Sequence, residues 1–113
     1  MNVIGWLTNC FSHRSKALSL YKRGMAKAKE HDHEGAIDDY TAAIDMHGIP
    51  SDVKAMALYN RGVVHAATGN NPKAIDDLNA VLAMAEPLEN VKTAAKQKLV
   101  RMERRNCKAS PGK

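Results

Sequence analysis

The sequence predicts an all-α fold made of two copies of a helical hairpin followed by a closing helix. Two observations carry this. LYKRG at Leu20–Gly24 returns as LYNRG at Leu58–Gly62, and AIDDY at Ala36–Tyr40 returns as AIDDL at Ala74–Leu78, both 38 positions later. A period between about 20 and 50 residues marks stacked supersecondary units. The second observation is a pattern. Apolar residues recur at helical spacing, and no stretch alternates apolar and polar residues as a half-buried strand does.

Each element has a local reason. Ser15 or Ser19 can start a first helix running to about Glu30, with Ala17, Leu20, Tyr21, Gly24, Met25 and Ala28 on one stripe. The polar run His31–Gly35 reads as a turn. A second helix over about Glu34–Met46 carries Ala36, Ile37, Tyr40, Ala43 and Ile44 as its stripe, which places Asp38, Asp39 and Asp45 in solvent. His47–Pro50 stops it, because Gly and Pro end helices. Ser51 or Asp52 is the expected cap of a third helix reaching about Thr68. Gly69–Pro72 is a turn with Pro72 placed to open a fourth helix. Glu86–Pro87 breaks that helix, and Asn90 is the expected cap of a last one from about Val91 to Arg105. The tail from residue 106 to 113 reads as frayed. Gly24 and Gly62 recur inside helices, where Gly costs about 1 kcal/mol relative to Ala. Close approach to the small Ala36 and Ala74 of the partner helices is the expected compensation.

At 113 residues the chain is one domain. Two cysteines near opposite ends, Cys10 and Cys107, are no disulfide framework and fit a reducing, cytoplasmic compartment. No run approaches the roughly 18 apolar residues that a membrane span requires. Net charge is +5, unevenly placed. Residues 1–90 hold nine Lys/Arg against eleven Asp/Glu, whereas residues 91–113 hold eight against Glu103 alone. A basic C-terminal segment on a mildly acidic body points to an anionic partner.

Gly24, Ala36 and Tyr40, repeated as Gly62, Ala74 and Leu78, resemble the signature of the tetratricopeptide repeat family. The resemblance covers about Ala17–Arg105. It departs from the family in its longer period, in Leu20 and Leu58 where Trp is usual, and in Arg23 and Arg61 where Leu is usual. It divides the chain into an N-terminal apolar segment (1–14), repeat one (about 17–50), repeat two (about 52–87), a final basic helix (about 90–105) and a tail (106–113). The fold it implies is antiparallel hairpins stacked as a short right-handed superhelix, with the first helix of each unit lining a concave surface. Lys22, Met25 and Lys29 would stand there from repeat one, with Leu18 and Tyr21. Tyr59, Asn60 and Val63 would come from repeat two, and Lys98, Arg101 and Arg105 from the last helix.

Such a groove implies a non-catalytic protein–protein interaction module, a scaffold or adaptor that holds a peptide carrying acidic groups. Lys and Arg give charge-assisted hydrogen bonds to oxygen anions, and Asn can bond a peptide backbone. Some family members clamp a terminal carboxylate with Lys, Asn, Asn, Lys and Arg. Asn60 matches and Lys98 is a conservative replacement, but Tyr21 and Met25 stand where Lys and Asn are needed, so the clamp is incomplete. The rival readings are nucleic-acid binding through the basic last helix and self-assembly as a structural protein.

Catalysis is not expected. The chain has no HExxH, no paired CxxC and no Gly-rich phosphate loop. No cofactor, catalytic residue or metal ligand is assigned, and His31-x-His33 reads as a solvated turn. The N-terminal Val3, Ile4, Trp6, Leu7, Cys10 and Phe11 fall at near-helical spacing. They are read as a capping helix on repeat one, with a homodimer contact and peripheral membrane attachment as the alternatives.

Overall fold

The computed structural model describes residues 3–85 and 89–109, with side chains for 14–85 and 89–105. It contains α1 (Val3–Lys29), α2 (His33–Ile44), α3 (Ser51–Ala67), α4 (Asn71–Ala83) and α5 (Glu89–Ala109), and no strand among the described residues. Each helix packs on its chain neighbour, and α3 also touches α1 and α5. So α1, α3 and α5 form one layer and α2 and α4 the other.

The turn inside each hairpin is duplicated bond for bond. Asp32 N donates to Lys27 O and Asn70 N to His65 O, both at 2.8 Å; His31 N donates to Ala28 O at 3.0 Å and Gly69 N to Ala66 O at 3.1 Å. This is the Schellman ending, whose C′ residue must be left-handed. Gly69 takes φ 85° without steric cost, and His31 takes φ 65°, a conformation that costs a side-chain-bearing residue about 1–2 kcal/mol. The next residue then caps the second helix. Asp32 accepts from Gly35 N at 3.0 Å, and Asn70 from Lys73 N at 3.4 Å.

Two apolar clusters hold the layers together. Ala36, Tyr40, Ala57 and Val64 join the two hairpins, flanked by Tyr21, Ala28 and Ile44. Leu58, Ala74, Leu78, Val81, Ala95 and Met102 join hairpin two to α5. The last helix therefore covers the apolar end of hairpin two, while its Lys96, Arg101, Arg104 and Arg105 remain exposed.

Four expectations are corrected. The first helix does not start at Ser15 or Ser19; α1 runs unbroken from Val3, so residues 3–14 are not a separate capping helix but its first turns. The packing of their side chains lies outside those described up to residue 13. The cap of α3 is Pro50, with no side-chain bond; Asp52 Oδ1 instead accepts from the adjacent Val53 N at 2.9 Å. The C-terminal helix continues to Ala109 rather than fraying after Arg105. Finally, Asp39 is buried, as is its counterpart Asp77.

The close approach at Gly62 is to Ala74, as expected, but that at Gly24 has a different partner. A Cβ on Gly24 would sit 2.7 Å from Tyr40 Cε1, whereas one on Gly62 would meet the Ala74 carbonyl oxygen and the Asp77 and Leu78 side chains, each at 3.3 Å. Gly24 makes room for an aromatic ring rather than for Ala36.

Candidate functional site: a basic groove on the inner layer

A concavity of about 550 Å³ opens between α1 and α3, lined by Lys22, Met25, Ala26, Ala28, Lys29, Tyr40 and Asn60. Its floor is set by packing. Tyr40 is fully buried against Gly24, and its ring lies 5.9 Å from that of Tyr21. Burial, with help from Tyr21 and Asp39, pushes the Tyr40 phenol up to about 12. Tyr21 is raised by burial too, an effect opposed by its bond to Asn60. Both phenols are therefore neutral at ordinary pH.

Asn60 is held in place from two sides. Its Nδ2 donates to Tyr21 Oη at 2.9 Å across the hairpin junction, and to Met56 O at 2.9 Å within α3. With the amide nitrogen committed, Oδ1 is the acceptor that the side chain brings to the lining of the concavity. Met25 is 45% exposed, one of the two exposed large apolar side chains among the described residues. Lys22 and Lys29 stand exposed on the same wall. The site thus offers two cations, one adaptable apolar side chain and one fixed acceptor. A chain whose carboxylates fall on Lys22 and Lys29 would find all three.

Four of the expected groove residues come together in this concavity: Lys22, Met25, Lys29 and Asn60. The other seven, Leu18 and Tyr21 among them, do not line it. Tyr59 packs against the cluster of Leu58, Leu78 and Met102, and Val63 is half-buried. On α5, Lys98 is half-buried, and its pKa is lowered by burial and by Arg105 and Arg101. Arg101 lies in a separate shallow crevice with Lys96, Gln97, Val100 and Arg104.

Two features escaped the sequence reading. One is a repeated ion pair on the far side of each first helix. Arg23 grips Asp39 through Nε at 2.9 Å and Nη2 at 2.8 Å; Arg61 grips Asp77 through the same atoms, both at 2.8 Å. The Arg23 guanidinium holds the Asp39 carboxyl below its usual range, with Lys27 Nζ adding a contact at 3.1 Å. Arg61 Nη1 reaches further, donating to Thr41 Oγ1 of the preceding hairpin at 2.9 Å. Arg23 and Arg61 at matching places, with Asp39 and Asp77 sixteen residues on, were the available signal.

The second is a layering of charge. Residues 1–29 contain six Lys/Arg and no Asp or Glu. α2 contains Glu34, Asp38 and Asp39 and no Lys or Arg. The outer layer is acidic while both flanks of the inner layer, α1 and α5, are basic. Counting charge over residues 1–90 as one block hid the first of those flanks.

A third concavity, about 360 Å³, lies between α2 and α4 and is lined by Ile37, Thr41, Arg61, His65, Lys73, Asp76 and Asp77. Among the described residues no three His, Cys, Asp or Glu side chains group closely enough to hold a metal ion, and no helix is long and apolar enough to cross a membrane. Comparison of the chain with protein-family models, with curated proteins and with solved structures gives no match.

Proposed function

We propose that the chain is a non-catalytic interaction module of the tetratricopeptide type that holds an acidic peptide segment in the α1–α3 groove. The observation that carries this reading is the meeting of Lys22, Met25, Lys29 and a fixed Asn60 around one open concavity. Lys22 and Lys29 supply the attraction for carboxylates, and Asn60 supplies a backbone contact. Met25 gives a soft apolar contact that tolerates variation in the guest's side chains. The acidic outer layer discourages the same peptide from settling elsewhere.

The test is capture of partners by the protein and by a Lys22→Ala/Asn60→Ala/Lys29→Ala variant, read by mass spectrometry. The variant should lose the partners that carry acidic stretches, with stability lowered by no more than the lost Asn60–Tyr21 bond contributes, about 1 kcal/mol. Retention of every partner would remove the groove from consideration.

One observation favours a second reading, nucleic-acid binding. Lys96, Arg101 and Arg104 share an exposed face of α5. Phosphate contacts there would give affinity that falls steeply with salt, which a gel shift at two salt concentrations measures.

A further inference from the structure

α1 is longer than its counterpart in hairpin two, and the excess lies all at one end. α1 has 27 residues and α3 has 17. They finish at equivalent positions, Lys29 and Ala67, so α1 starts ten residues before the place that matches Ser51. At 1.5 Å per residue that is an overhang of about 15 Å. The twelve-residue α2 spans about 18 Å against about 40 Å for α1. Arg14 lies level with the first turn of α3, its Nη2 3.6 Å from Oδ2 of Asp52.

The sequence of the overhang divides cleanly on a helix of 3.6 residues per turn. Val3, Ile4, Trp6, Leu7, Cys10 and Phe11 fall within one arc of about 160°, and Gly5, Thr8, Asn9 and Ser12 fall on the other side. This arc is in register with the groove face of the same helix. From Leu7, steps of four and three residues lead through Phe11, Arg14 and Leu18 to Lys22, Met25 and Lys29. An apolar end is thus followed along one stripe by a basic stretch, on a segment without a single acidic residue.

We infer that α1 attaches the protein to the surface of an anionic lipid bilayer, the overhang lying in the interface and the Lys/Arg stretch against lipid phosphates. The chemistry selects this occupant. An amphipathic helix with Trp, Phe and Leu on one side and Lys/Arg nearby binds in the interfacial plane. Each Lys or Arg near an anionic surface strengthens the attachment. A second copy aligned on the same stripe would bring Arg14, Lys22 and Lys29 against their own kind, which disfavours self-pairing there.

Trp6, the one tryptophan of the chain, is a built-in reporter. The experiment is flotation of the full chain with phosphatidylcholine vesicles, alone or mixed with phosphatidylserine, while Trp6 emission is followed. Flotation with the mixed vesicles only, a blue-shifted emission and weakening by salt are the expected results. Leu7→Asp should lower partitioning about tenfold, the equivalent of losing one buried leucine side chain, and leave the thermal midpoint unchanged. Asn60→Ala, a groove change, should leave partitioning unchanged, which separates this inference from the peptide reading. Absence of flotation, equal flotation with neutral vesicles, a lowered midpoint in Leu7→Asp, or loss of a dimer mass in that variant by light scattering would each overturn it.

Discussion

The two hairpins share a backbone plan but differ in what their first helix faces. In α3, Ala57 and Val64 are buried against hairpin one, and Asn60 and Arg61 bond across to Tyr21 and Thr41. The matching residues of α1 are Ser19, Ala26, Lys22 and Arg23, and all four are exposed. One side of the same hairpin plan is therefore dressed as an interface in one copy and as a solvent face in the other. The stack is finished at that side by composition, and at the other side by α5.

The ion pairs follow the same division. Arg23 is 61% exposed and Arg61 20%, although their carboxylate partners are equally hidden. The pair in hairpin one closes one hairpin. That in hairpin two also ties the hairpins together through Thr41. The largest expected effect comes from breaking this second pair. Asp77→Ala leaves the Arg61 guanidinium partly buried without its counter-charge, which costs about 3 kcal/mol. Asp39→Ala should cost distinctly less, because water replaces the lost partner of an exposed Arg23. Urea denaturation of both variants measures the difference. Equal losses would mean that position in the stack does not matter and would break the comparison.

The glycines sharpen it at a lower energy. A methyl on Gly24 would have to displace the buried Tyr40 ring from 2.7 Å, so Gly24→Ala should cost about 2 kcal/mol, within the range for overpacking a core. In Gly62→Ala the contacts at 3.3 Å ask for a few tenths of an ångström, and the gain in helix propensity, about 1 kcal/mol, offsets this. The second variant should stay within about 0.5 kcal/mol of the parent. Thermal midpoints read both. A Gly62→Ala loss as large as that of Gly24→Ala would show that the two copies are equally tight at these glycines and would break the comparison.

The repeat made the hairpins legible before any coordinate, because two motifs at one offset state both the element type and the pairing. The groove was half legible. Lys22, Met25, Lys29 and Asn60 follow from placing the family's first-helix pattern on the chain. Tyr59 and Val63 do not line that concavity; α4 and α5 draw Tyr59 into a second apolar cluster, which periodicity along one helix does not show. Lys98, Arg101 and Arg105 depend on how α5 docks after residues 86–88. Burial of Asp39 and Asp77 was hidden for another reason. They lie off the apolar stripe, and only a guanidinium sixteen residues away makes such burial tolerable. The start of α1 was misread because Ser15 and Ser19 suggested caps and the polar run from Ser12 to Lys16 interrupts the apolar stripe, although the helix continues through it from Val3.

The smallest expected effect turns on one substitution between the copies. Lys27 beside Asp39 is replaced in hairpin two by His65 beside Asp77. His65 is buried, its Nε2 3.9 Å from Asp77 Oδ2, with Arg61 on its own helix and Lys73 and Asp76 of α4 around the same crevice. Burial lowers its pKa below 6.5, assisted by Arg61 and Lys73 and opposed by Asp77. The unfolded chain therefore binds this proton more readily than the folded one. Above 6.5 both states are neutral at His65 and no stability is lost; as pH falls through the depressed folded value, stability declines. Hairpin one has no counterpart in that window. Its Asp39, held below 3.8, gives up its contribution only as pH falls through that lowered value. Thermal midpoints measured downward from pH 6.5 should fall more steeply for the parent than for His65→Gln. His65→Lys, which copies hairpin one into hairpin two, should flatten the curve as well. Parallel curves for all three proteins would place the acid sensitivity outside the junction between the hairpins.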